Sequence, residues 1–270
     1  MIDLDAYFRR IAYTGSREPT VAVLHALTAA HSRAIPFENL DVLLQRPIQL
    51  TPEALFRKLV EARRGGYCFE QNGLFMEVLA QLGFDVQPLS ARVRLGLTDR
   101  GVVAPRTHMF LRVHIAGESW LTDVGVGSAS LTGALRWQEG DEQPTPHEAR
   151  RFVRANERWY HQIRYGDRWA DVYEFTGEEM PFIDRVIANW YVSAYPGSHF
   201  RNRLVVARAL PEGRRVAIAN DELILREADG TARSGKLVGN EALLTVLDRH
   251  FGIRLAAGTR IRWNVPAGCS

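Results

Sequence analysis

Apolar positions recur at helical spacing through the first third of the chain, and the spacing changes to two from about residue 85. Thr20 can cap a segment running through Val21, Leu24 and Leu27. Thr51-Pro52 reads as a helix start, with proline at the first helical position and Leu55, Phe56, Leu59 and Val60 following on one face. Leu74, Phe75, Val78, Leu79 and Leu82 mark a third helical pattern, and Gly83 is its stop signal. Residues 1 to about 84 are therefore expected to be helical. Between the first two patterns lies Ile35-Pro36-Phe37-Glu38-Asn39-Leu40-Asp41, which reads as a proline-broken loop with Phe37 as an aromatic anchor.

In the middle of the chain Met109, Leu111, Val113 and Ile115 alternate with His108, Phe110, Arg112 and His114. Ala116-Gly117-Glu118 then turns the chain, and Trp120 to Val124 returns as a second strand. With the turn centred near Gly117, an odd register places His108 and Asp123 on one face, opposite or diagonal, within ~5 to 8 Å. An even register separates them. Further strands to about residue 176, among them Arg151-Phe152-Val153 and Trp159 to Arg164, predict an all-β unit, barrel or sandwich.

A helical stretch from Pro181 through Ile183, Val186, Ile187, Trp190 and Tyr191 comes next, followed by a hinge from Tyr195 to Phe200. The last third predicts strands at Leu204 to Ala209 and Arg214 to Ala219, then a hairpin whose Asp229-Gly230 favours a type I′ turn. It ends in a helix capped by Asn240 and stopped by Gly252, with Leu243, Leu244, Leu247 and Phe251 apolar. The expected units are residues 1–84, 85–180, a connecting helix and hinge at 181–203, and 204–270.

A chain of 270 residues with 46% hydrophobic content can bury a sizeable core and suits two or three small domains. The balance of 34 basic against 31 acidic residues is mild, and the arginines are dispersed. A nucleic-acid binder would concentrate them in a stripe with exposed aromatics. The charge does allow a local basic grip on a phosphorylated small molecule. No apolar run approaches the ~18 residues of a spanning helix, and the charged N-terminus does not read as a signal peptide. Two cysteines, Cys68 and Cys269, make neither a disulfide framework nor a four-cysteine metal site, and fit a reducing cytoplasm.

Cys68 stands out because it follows Gly65-Gly66 where a helical pattern begins. Unpaired first-turn N–H groups and the helix dipole favour a thiolate over a thiol there. The two glycines are expected to permit a sharp turn and leave room beside the sulfur. A base is needed, and His108 with Asp123 supplies one. The set Cys68, His108 and Asp123 fits nucleophilic acyl transfer, with first-turn N–H groups as oxyanion donors. Whether an amine or water takes the acyl group stays open at this point. Gly125-Val126-Gly127-Ser128 lacks the third glycine of a dinucleotide fingerprint, Ser130 standing in its place. It reads either as a tight turn or as a loop whose N–H groups meet a pyrophosphate. No metal-binding motif is present in the sequence.

The runs Arg64-Gly-Gly-Tyr-Cys-Phe-Glu-Gln-Asn72, Pro36-Phe-Glu-Asn-Leu40, Thr107-His-Met109, Asp123-Val-Gly125 and Ser198-His-Phe200 resemble, in this order and spacing, the arylamine N-acetyltransferases. The resemblance implies an α+β fold: a helical N-terminal domain, a β-barrel middle domain, an α/β C-terminal lid and a papain-like Cys-His-Asp site. It implies Cys68, His108 and Asp123 as the catalytic set and Phe37, Val93, Val126 and Phe200 as acceptor-pocket lining. Gly125, Val126, Gly127 and Ser128 would lie near the coenzyme A phosphates. Acetyl-CoA would be a co-substrate in a ping-pong reaction, with no permanently bound cofactor. Arylamines, arylhydrazines or arylhydroxylamines would be the acceptors, with no nucleic-acid or membrane partner and a monomer or weak homo-oligomer. The family often carries phenylalanine where this chain has Val126, which implies a roomier site. The same residue set also suits a transglutaminase-like thiol hydrolase or an amide synthase, and an inert Cys68 would leave an aromatic-binding scaffold.

Overall fold

The computed structural model describes residues 1–256 and 258–263, so Cys269 lies outside the described residues. Helices α1 (Leu4–Ile11) and α2 (Val21–Ala34) come first, α2 capped as expected by Thr20, whose Oγ1 accepts from Val23 N–H at 3.3 Å. The stretch read as a loop holds a two-residue strand, β1 (Phe37–Glu38), and a short helix, α3 (Leu40–Leu43). Helix α4 (Pro52–Phe56) runs into a π turn at Arg57–Glu61, and α5 (Cys68–Gln81) follows. Helix α5 ends at a glycine for the anticipated reason: Gly83 adopts φ +87°, open to glycine without strain.

The middle of the chain is β2 (Asp85–Val93), β3 (His108–Ile115), β4 (Glu118–Thr122), β5 (Leu135–Arg136), β6 (Arg150–Ala155), β7 (Arg158–Tyr165) and β8 (Arg168–Phe175). They form one antiparallel sheet in the order β5-β4-β3-β2-β8-β7-β6. Its two edges nearly meet, because the segment after β5 bridges to β6 at Gln143–Arg150 and Glu139–Phe152. The sheet is thus a barrel almost closed on itself, filled by Leu89, Phe110, Leu121, Phe152 and Tyr173, all fully buried. Ala116 and Gly117 both take positive φ, the type I′ geometry that joins β3 and β4 by two residues. That turn fixes the register as odd, with Leu111 opposite Thr122 and Val113 opposite Trp120.

Helix α6 (Phe182–Ala194) and the single turn α7 (His199–Asn202) lead to β9 (Val205–Ala209), β10 (Arg215–Ala219), β11 (Glu222–Arg226) and β12 (Ala232–Lys236). Helix α8 (Gly239–Val246) continues as a π turn, Leu247–Phe251, and is stopped by Gly252 at φ +67°. The second sheet has the order β1-β9-β10-β11-β12. Its core of Val206, Val216 and Ile218 packs against Leu243, Leu247 and Phe251.

Two local expectations are corrected. The β11–β12 turn is a three-residue loop, Ala228 to Gly230, closed by Glu227 N–H to Thr231 O at 2.9 Å. Only Gly230 has positive φ, so the turn is a type I turn with a glycine bulge rather than type I′. Asn240 does not cap α8, which starts after Val238. Its side chain instead holds the last described segment, donating to Thr259 O (2.8 Å) and accepting from Ile261 N–H (3.1 Å). No helix among the described residues is long and apolar enough to cross a membrane.

Candidate active site

Cys68 is the first residue of α5, His108 the first of β3, and Asp123 follows the last residue of β4; all three are buried. The odd register puts His108 and Asp123 on one face, on a diagonal just past the last ladder pair. His108 Nε2 meets Asp123 Oδ2 at 2.7 Å, which leaves Nδ1 as the ring nitrogen for the thiol. Burial alone would drive this imidazole to its neutral form. The Asp123 carboxylate and its hydrogen bond, with a smaller contribution from Cys68, outweigh burial and push the His108 pKa up to about 10. Cys68 Sγ lies 3.8 Å from the carbonyl oxygen of Thr107.

The other carboxylate oxygen of Asp123 is held by two donors. Oδ1 accepts from Asn72 Nδ2 and from Gly125 N–H, each at 2.9 Å. Asn72 sits four residues after Cys68, one turn along the same face of α5. It also donates to Met109 O (2.7 Å) and accepts from Val124 N–H (3.0 Å), so one buried amide fastens the helix of the thiol to both strands of the hairpin. Sequence reasoning quoted Asn72 without giving it a role. The signal that could have found it was its i+4 spacing from Cys68 on a face that must meet Asp123.

Gly125 is required by proximity. A Cβ there would stand 2.8 Å from both Cys68 Cα and Asn72 Nδ2. The expected reason for Gly65-Gly66 is corrected in the same terms: neither glycine takes positive φ, and the room they leave is not beside the sulfur. A Cβ on Gly65 would fall 2.0 Å from Pro36 O, and one on Gly66 would strike the Glu70 side chain. The chain before Cys68 is thereby pressed against β1 and a buried ionic cluster. In that cluster Arg64 pairs with Glu38 (2.7 Å) and Asp41 (3.1 Å), while Lys58 bridges Asp41 (2.7 Å) and Glu70 (2.6 Å). Burial would strip the proton from Lys58, but the surrounding carboxylates hold it and raise the pKa. Glu70 Oε2 accepts from Tyr67 N–H at 3.1 Å, fastening the start of α5.

The N–H groups of Glu70 and Gln71 both go to Tyr67 O (3.0 and 2.9 Å). Those of Cys68 and Phe69 find no protein acceptor among the described residues, and they carry the positive end of the helix. In the run after Asp123, Gly125 N–H is taken by Asp123 and Val126 N–H by Ser130 Oγ (3.0 Å). Only Gly127 and Ser128 keep N–H groups without a protein acceptor among the described residues.

Cys68 and His108 border a cavity of about 320 Å³. Every anticipated pocket residue lines it: Phe37, Val93, Val126 and Phe200, with Gly125, Gly127 and Ser128. Leu95, Thr107, His199 and Val205 line it as well and were not singled out as pocket residues. Phe200 makes the wall, its ring 5.9 Å from Phe37 and 5.8 Å from Tyr67. A buried thiol, an imidazole held by a carboxylate and a mostly apolar, aromatic-walled cavity together suit acyl transfer to a flat apolar acceptor.

Comparison with known proteins places this geometry. A family model described as N-acetyltransferase matches residues 20–260. The arylamine N-acetyltransferase of Mycobacterium tuberculosis is 42% identical over 94% of this chain and 90% of its own length. The chain belongs to the arylamine N-acetyltransferase family. Another relative, from Salmonella typhimurium, is named arylamine N-acetyltransferase / N-hydroxyarylamine O-acetyltransferase and is 39% identical over 93% of this chain and 88% of its own. Among solved structures, the Mycobacterium marinum arylamine N-acetyltransferase in complex with CoA superposes with a TM-score of 0.88 at 37% identity, over 93% of each chain. The mixed α and β architecture with its barrel is the architecture of these arylamine N-acetyltransferases, and the chain is an acyltransferase of that family.

Proposed function

We propose that the protein transfers an acetyl group from acetyl-CoA to the nitrogen of arylamines or arylhydrazines through an acetyl thioester on Cys68. The observation that carries this reading is the 2.7 Å contact of His108 with Asp123 in the cavity that also holds the thiol. A protonated imidazole beside Cys68 favours the thiolate, and Asp123 supports the positive charge. The thiolate attacks the thioester carbonyl. Negative charge developing on the carbonyl oxygen falls to the free N–H groups of Cys68 and Phe69, each such donor being worth on the order of a hundredfold in rate. The tetrahedral species collapses, the CoA sulfur leaves, and His108 gives it a proton. The acceptor nitrogen then attacks the acetyl-Cys68 carbonyl and passes its proton to His108, and the thiolate departs.

In this reading residues 1–84 carry the nucleophile, 85–180 the base and its partner, 181–203 the connection and 204–270 a lid. Phe37, Val93, Val126 and Phe200 bound the acceptor, while Gly127 and Ser128 lie on the donor's path. Transfer to the oxygen of arylhydroxylamines uses the same thioester, and the printed name of the Salmonella relative supports it. Dependence on an unpaired thiol suits a reducing cytoplasm.

The test is to incubate the protein with acetyl-CoA alone and weigh it intact. One added acetyl group, absent in Cys68→Ala and discharged by an arylamine, is the expected result. A thiol that is readily alkylated yet never acetylated would overturn the donor and leave a hydrolase or amide synthase.

A further inference from the structure

The dispersed arginines converge at one cavity outside the site. It measures about 360 Å³ and is lined by Leu43, Gln45, Arg201, Arg260, Arg262 and Trp263 among others. Arginines elsewhere in the fold are neutralised: Arg64 by Glu38, Arg94 by Glu174, Arg215 by Glu148. Arg201, Arg260 and Arg262 have no carboxylate partner among the described residues, and Arg201 donates to the Ala194 carbonyl at 2.9 Å. Three uncompensated guanidiniums and an indole around one hollow match a ligand that carries several phosphates on an aromatic base. Guanidinium forks fit phosphate oxygens, and an indole offers a stacking face.

This cavity and the one at Cys68 are built from the same two pieces of chain. Strand β1 gives Phe37 to the first, and α3 gives Leu43 to the second, six residues on. The single turn α7 gives His199 and Phe200 to the Cys68 cavity and Arg201 to the arginine cavity. A ligand reaching from one to the other passes around α7 only. The glycine run beside Asp123, with just two free N–H groups, brings no side-chain cation to meet a polyphosphate.

We infer that the arginine cavity takes the phosphorylated nucleotide end of the acyl-CoA donor. Its diphosphate and 3′-phosphate lie on Arg201, Arg260 and Arg262 and its adenine against Trp263, while the pantetheine arm carries the thioester round α7 to Cys68. This rests on acetyl-CoA being the donor.

The variant to make is the charge reversal Arg260→Glu with Arg262→Glu. Acetylation of Cys68 is followed with acetyl-CoA and with p-nitrophenyl acetate, which lacks the nucleotide. Charge-assisted contacts of this kind predict a KM for acetyl-CoA raised roughly tenfold or more, with the kcat/KM ratio of acetyl-CoA to p-nitrophenyl acetate falling in step. The double lysine variant should recover part of that ratio. Adenosine 3′,5′-bisphosphate, titrated by calorimetry, should bind the wild type and fail to bind the reversed variant. An unchanged donor ratio, or equal bisphosphate binding by both proteins, overturns the inference. A wild type acetylated by p-nitrophenyl acetate but not by acetyl-CoA would instead overturn the donor assignment, and bisphosphate binding would then decide the cavity by itself.

Discussion

Replacing Asn72 by alanine tests whether the buried amide, and not packing alone, sets Asp123 against His108. The change removes the bonds to Met109 O at 2.7 Å and Asp123 Oδ1 at 2.9 Å, and the bond from Val124 N–H at 3.0 Å. Asn72 is fully buried, so water does not replace them readily. Val124 N–H is left without its acceptor, while Asp123 Oδ1 keeps only Gly125 N–H. One orphaned amide at about 1 to 3 kcal/mol and one weakened charge-assisted bond put the loss of stability at roughly 2 to 4 kcal/mol. Activity should fall further than stability implies, since displacement of a catalytic group by about 1 Å costs on the order of a hundredfold. Urea unfolding read as a shift of midpoint at constant slope measures the first, and kcat/KM for the acetyl transfer the second. Asn72→Asp sharpens the test. It keeps the shape and the acceptor for Val124, but turns a carboxylate oxygen toward Asp123 where a donor stood. Two buried carboxylates at that distance tolerate each other only with a shared proton. The aspartate variant should therefore regain activity as pH is lowered, and the alanine variant should not. If Asn72→Ala unfolds with the wild-type midpoint and turns over at the wild-type rate, the positioning argument is wrong.

The raised pKa of His108 makes a statement about stability. A folded-state value of about 10 against an ordinary 6.5 means that protonation of His108 favours the folded state fully below pH 6.5, and that this contribution drains away as pH rises toward 10. Wild-type unfolding free energy should decline across that interval more steeply than that of His108→Gln; equal slopes would refute the assignment of the proton. Val126 sits in the wall of a 320 Å³ cavity, so Val126→Phe should fill part of it and penalise the bulkier arylamines most. A panel of acceptors ranked by kcat/KM checks this, and an unchanged ranking rejects it.

The parts of the site that were legible in the sequence are those with a local cause. Cys68 was marked by the onset of a helical pattern, and the facing of His108 and Asp123 followed from the Ala116-Gly117 turn because turn geometry fixes strand register. What escaped has distant causes. Strand β1 is two residues long and shows no period. It exists because Phe37 and Glu38 pair with Ala207 and Val206, some 170 residues later. The ionic cluster around Lys58, Arg64, Asp41 and Glu70 joins residues separated by up to 29 positions, and no spacing rule connects them. Asn240 followed the statistics of a cap yet bonds to Thr259 and Ile261, because a tertiary partner outcompeted the local one. At Asp229-Gly230 the loop is one residue longer than a type I′ hairpin, a difference that dipeptide preference does not resolve.

A thiol on one unit and its base on another must be held to tenths of an ångström, and apolar contact does not do that, since it is not directional. The fold meets the requirement with two buried asparagines. Asn72 binds the backbone and carboxylate of the hairpin, fixing Cys68 against Asp123. Asn39 donates to Phe200 O and Arg203 O, each at 2.7 Å, and accepts from Val205 N–H at 2.9 Å. It thus fixes the α7 turn, and with it the Phe200 ring, against Phe37 two residues before it. Neutral amides suit this task because each offers donors and an acceptor in a rigid plane and brings no charge to desolvate. The two clamps share no partner. The Phe200 wall hangs on Asn39 and the reacting groups on Asn72, so the fold allows the pocket wall to be altered for a different acceptor while the thiol, imidazole and carboxylate stay in register.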